Sequence, residues 1–109
     1  KPFENKKPDD NIIPGKKEVI TVKNTELDDI IHNTYYKSNY ELAVKELKNY
    51  IKTTDNTDSR PKAKLFLAKS YIELHEYEKS IKLLDSDDVK KAFPEETRFW
   101  FEFAIVRLK

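Results

Sequence analysis

The chain has 109 residues, 38% charged and 38% hydrophobic, with 21 basic against 20 acidic side chains and a net charge of +1. That length implies one domain, and the charge balance excludes a global field able to draw nucleic acid or an anionic membrane. Cysteine is absent, which excludes disulfides, a thiolate nucleophile and cysteine-based zinc sites; with a single glycine, an all-β fold of tight hairpins is disfavoured.

The chain begins at Lys1 and contains no methionine. We therefore expect a processed product or an excised piece, with any signal peptide or lipid-bearing N-terminus removed from view. Residues 1–24 carry three of the five prolines and the only glycine, so they read as an extended or disordered arm leading into a domain over 25–109. Within the arm, Glu18–Val22 is β-prone: a linker, a strand added to something else, or an arm laid on the helices. No apolar run reaches the roughly 18 residues of a membrane helix.

Thr25 and Asp28 form an approximate capping box for a first helix over about Glu26–Lys37, with Leu27, Ile30, Ile31 and Tyr35 as its apolar stripe. Ser38-Asn39 makes a turn, and Asn39 caps a second helix from Tyr40 to about Lys52, whose stripe is Tyr40, Ala43, Val44, Leu47, Tyr50 and Ile51. The polar stretch Thr53–Ser59 separates this pair from the next. Ser59 is placed to cap a third helix, with Arg60 and Pro61 in its first turn. Leu67, Ala68, Tyr71 and Leu74 follow at helical spacing. After His75-Glu76 the period restarts with Tyr77, Ser80, Ile81 and Leu84. Two amphipathic helices this close must fold back as a hairpin, with the small residues Ala68 and Ser80 at the close approach. Asp85–Asp88 stops the fourth helix and caps a short one ending at Phe93; Pro94 opens a last helix from Glu95 to Lys109.

Leu67, Ala68, Tyr71, Tyr77, Ser80 and Leu84 resemble the tetratricopeptide repeat, a helix–turn–helix unit of about 34 residues. Ser80 replaces the usual alanine, and Lys64 stands where the family often has a large aromatic residue. Ile31, His32, Tyr35, Tyr40, Ala43 and Leu47 occupy the same places 36 or 37 residues earlier. His32 replaces a small residue there, and the inter-helix turn is one residue shorter. The resemblance implies an all-α fold of two stacked hairpins (repeats over 26–52 and 60–85), a short helix over 87–93 and a terminal or third-repeat helix over 95–109, wound in a right-handed superhelix. The spacing, with the phrase Ser59–Tyr71, is similar to the repeats of bacterial envelope assembly lipoproteins and Tol–Pal coordinator proteins.

Such a family holds other proteins. The resemblance places Glu26, Asp29, Asn33, Tyr36 and Lys37, then Lys62, Leu65, Lys69, Ile72 and Glu73, on a concave face, with Tyr36, Leu65 and Ile72 as an apolar stripe beside Lys69. Asp29 stands where the carboxylate-clamping members need lysine, so that activity is rejected. The final helix carries Phe99, Trp100, Phe101, Phe103, Ala104, Ile105, Val106 and Leu108 around nearly its whole axis. A helix apolar all round is buried on both sides; the chain then ends inside an array, or a partner or second copy covers it, through Phe99, Trp100, Phe101, Ile105 and Leu108. His32 and His75 are isolated, and no nucleotide, hydrolase or metalloprotease signature occurs. The acidic pairs lack calcium-loop spacing and read as caps.

The expectation is a non-enzymatic protein–protein interaction scaffold without cofactor or metal, in a bacterial envelope or periplasm, with cytoplasm as the alternative. Its partner is another protein, heteromeric in preference to a second copy. The competing expectation is a structural spacer within a larger enzyme or transport machine.

Overall fold

The structure, a computed structural model, describes residues 26–109. The arm over 1–24, its β-prone run and the Thr25 cap lie outside the described residues. The described chain is all-α. Helical residues 26–33 (α1) lead through a 3-10 turn, Tyr35–Lys37, into α2 (Tyr40–Thr53), α3 (Arg60–Glu73), α4 (Tyr77–Leu84), α5 (Asp87–Ala92) and α6 (Pro94–Leu108). No helix among the described residues is long and apolar enough to cross a membrane.

The helix α3 is central. It packs against α2, α4, α5 and α6, and nine of its residues, from Pro61 to Ile72, are buried. One side joins Ala63, Phe66, Leu67 and Tyr71 to Leu27, Ile31, Ala43, Leu47 and Tyr50. The other side joins Leu65 and Ala68 to Leu84 and Val89. A helix shared by two clusters must be apolar on several faces, which is why this segment shows little amphipathic contrast.

The two hairpin turns are built alike. Ser38 (φ 62°) and His75 (φ 63°) are both left-handed. In the first, the Asn39 N–H donates to Thr34 O at 2.9 Å and the Ser38 N–H to Tyr35 O at 3.0 Å; in the second, Glu76 donates to Tyr71 O at 2.8 Å and His75 to Ile72 O at 3.0 Å. Both are Schellman closures. The first helix ends sooner than expected, at residue 33, and the 3-10 winding absorbs the missing residue because it completes a turn in about three residues instead of 3.6.

Matched positions share their burial where both hairpins are covered. Ile31 and Leu67, Ala43 and Ser80, Leu47 and Leu84 are all buried. His32 is exposed where Ala68 is fully buried. Tyr35, half-buried, packs on the same cluster that holds Tyr71.

Caps follow expectation at Asn39, whose Oδ1 accepts from the Leu42 N–H at 3.3 Å. At Ser59 they do not. Its hydroxyl donates to Asn56 O at 3.0 Å, which leaves the buried Tyr50 hydroxyl to donate to Ser59 Oγ at 2.6 Å. The Ser86 hydroxyl likewise turns back to Leu83 O at 2.8 Å. Lys64, at the place of the family's aromatic residue, reaches Asp88 at 3.0 Å and ties α3 to α5. Burial, the largest single influence on Asp88, pushes its carboxyl upward; hydrogen bonding and charge from Lys64, with the Val89 N–H donor, prevail and hold it below the usual carboxylate range.

Candidate functional site

Pro94 at the first helical position and Glu95 and Glu96 in the first turn start α6. The Thr97 hydroxyl donates to Val89 O at 3.2 Å and fixes the helix to α5. Thr97 and Ala104 are buried, and Trp100 and Phe101 pack against the cluster of Leu65, Ala68, Leu84 and Val89. These residues define the inner edge of α6.

The opposite edge is open. Phe99 is 58% exposed and Val106 67%. Phe99, Phe103 and Val106 recur at i, i+4 and i+7, one stripe of a helix. Phe99 meets Trp100 edge-on at 4.9 Å and Phe103 at 6.4 Å, while the Arg107 guanidinium lies 3.5 Å over the Phe103 ring. Within the described residues one edge of the helix is packed and the other is wet. Phe101 belongs to the packed edge and supports the core. Ile105 is half-buried, and Leu108 is 48% exposed beside the start of α4.

The expected concave stripe is corrected as well. Leu65 and Ile72 are 1% and 4% exposed. α5 carries Val89 onto Leu65 and removes it from solvent. Phe66 takes over the place beside Lys69. The Lys69 ammonium lies 4.4 Å from the Phe66 centroid, 5.3 Å from Tyr35 and 5.6 Å from Trp100. Burial lowers its pKa, and the Glu96 carboxylate opposes that shift. Each cation–π contact contributes about 0.5–2 kcal/mol. Tyr35 meets Phe66 edge-on at 5.2 Å, and the 59%-exposed Tyr36 does so at 6.1 Å. Burial, helped by the Glu73 charge and then by Tyr40 and Tyr36, raises the Tyr35 phenol to about 12.

A seam therefore runs from Tyr36 through Phe66 and Lys69 to Trp100 and on to Phe99 and Phe103. It brings together Tyr36, Lys69, Trp100 and Phe99 of the expected set and adds Tyr35, Phe66 and Phe103. Phe66 falls with Lys62, Lys69 and Glu73 at i, i+4, i+7 and i+11 of α3, and at 9% exposure it forms the buried floor of the seam, with the charged residues at its margin. His32 and His75 are both exposed, His32 5.3 Å from the Tyr36 ring and His75 stacked 5.8 Å from Tyr77. Among the described residues no three metal-ligating side chains converge.

No protein-family model, curated protein or solved structure matches the chain.

Proposed function

We propose that this chain is a protein–protein interaction scaffold of tetratricopeptide-like hairpins that works without catalysis, and that the open edge of α6 and the aromatic seam beside it are its docking surface. The observation that carries the reading is the exposure of Phe99 and Val106 on one stripe of a helix whose other edge is packed. Fully burying a side chain of this kind is worth about 1.5–3 kcal/mol, so covering both is a substantial drive to association. Lys69, seated among three rings, adds one cation for orientation. The likeness of Leu27–Leu84 to envelope repeats supports a bacterial envelope setting.

The test is affinity capture from the source cell followed by calorimetry on the purified partner. Phe99→Ser with Val106→Ser should weaken binding by roughly 10-fold or more, since two buried anchors together exceed 1.4 kcal/mol. These positions replace Trp100 and Phe101 as the informative ones, because Phe101 supports the core and its loss would unfold the site it is meant to probe. Equal affinity before and after would refute the reading. In the competing spacer reading this edge is covered by more of the same polypeptide; a longer parent chain that binds the captured partner through Phe99 and Val106 decides against it.

A further inference from the structure

A second surface shares no residue with the seam. Between α2 and α4 lies a groove of about 580 Å³ whose floor is Val44, Ile51, Leu67 and Leu83. Its rim on α2 carries Lys45, Lys48 and Lys52, with Glu41 at one end. All four rim residues are exposed, and no carboxylate of the described residues forms an ion pair with the three lysines. The groove spans residues 41–52 of α2, about three helical turns.

The open edge of α6 is the counterpart in length, polarity and charge. Glu95, Phe99, Glu102 and Val106 recur at i, i+4, i+7 and i+11, on the edge opposite Ala104. All four are exposed, and Arg98 and Arg107 lie to the two sides of that edge. The apolar pair Phe99–Val106 is seven residues apart, as is Val44–Ile51 of the groove. The acidic pair Glu95–Glu102 is seven residues apart, as is the basic pair Lys45–Lys52. Seven residues are two turns, about 10.5 Å, so the spacing within each pair is the same on the two helices.

We propose that α6 of one copy docks in the α2–α4 groove of another, Phe99 and Val106 on the apolar floor and Glu95 and Glu102 against Lys45 and Lys52. The inference rests on the reading of α6 as a docking edge and names its occupant as a second copy. The contact is heterologous, so it generates chains or rings instead of a closed two-fold dimer. One helix in one groove is a small interface, so affinity is on the order of 10–100 µM and falls with salt.

The test is sedimentation equilibrium on the full 109-residue chain with charge-reversed variants. Wild type should associate beyond the dimer as concentration rises. Lys45→Glu with Lys52→Glu, and separately Glu95→Lys with Glu102→Lys, should each weaken association roughly 10-fold or more. Mixing the two variants in equal amounts should restore association beyond the dimer, because the reversed groove now faces a reversed helix and the unchanged groove an unchanged helix. Unchanged circular dichroism keeps misfolding out of the comparison. A wild type that stays monomeric to the millimolar range, association indifferent to both reversals, no restoration on mixing, or binding of the lysine rim to anionic vesicles in place of a second copy overturns the inference. If the chain stays monomeric while Phe99→Ser with Val106→Ser still abolishes binding of a captured partner, the self-docking inference falls and the scaffold reading stands.

Discussion

Ser80→Ala should stabilise the protein. Ser80 is fully buried at the close approach of the second hairpin, and its hydroxyl has no hydrogen-bond partner among the described residues. An unsatisfied buried hydroxyl costs about 1–3 kcal/mol, and alanine gains a further few tenths in helix propensity. The equivalent position in the first hairpin, Ala43, is also fully buried, which shows that a methyl group fills such a site. The net expectation is a gain of about 1–2 kcal/mol, or a rise in Tm of roughly 4–10 °C for a domain of this size. Urea unfolding with an unchanged slope measures it. Two controls bracket the effect: Ala43→Ser should cost a comparable amount, and Ser70→Ala should change little, because the Ser70 hydroxyl already donates to Phe66 O at 2.8 Å. A loss of stability in Ser80→Ala would show that the hydroxyl is satisfied and the reasoning wrong.

Two further predictions concern the same framework. Ser38→Gly and His75→Gly should each stabilise by about 0.5–1 kcal/mol, because both residues sit at positive φ where a side chain is penalised; thermal unfolding of the single variants checks this, and a drop in Tm for both would contradict it. Asp88 has a lowered folded-state pKa, so its contribution is present above the unfolded value near 3.9 and is lost as pH falls below that value. Asp88→Asn should therefore lose less stability than wild type between about pH 5 and pH 2, and parallel urea–pH curves for the two proteins would refute the pairing with Lys64.

Much of the framework was legible because it rests on local periodicity. The helices, the Asn39 cap and the turn at Ser38-Asn39 follow from spacing and residue type, and Leu47 and Leu84 sit in equivalent buried places as their alignment implies. What was not legible involves competition over longer range. Ser59 looked like a cap, but Tyr50 and the Asn56 carbonyl engage its hydroxyl first. Leu65 and Ile72 lie one position off the charged stripe of α3, and only the return of α5, carrying Val89, shows that Leu65 is covered. The left-handed turns were hidden because serine and histidine stand where glycine is the usual marker. For α6, hydrophobicity on all sides did not tell which edge the fold packs. That edge is decided by Thr97 and Ala104, the small residues that let α6 settle onto its neighbours.

The most direct measurement places a photo-crosslinking amino acid at Phe99 in the living source cell and compares it with the same probe at Asp55, an exposed residue of the α2–α3 loop. If the open edge of α6 is a docking surface, position 99 gives a discrete protein adduct and position 55 does not. Equal, diffuse labelling at both positions would mean that Phe99 and Val106 face only solvent, and the scaffold reading would be wrong.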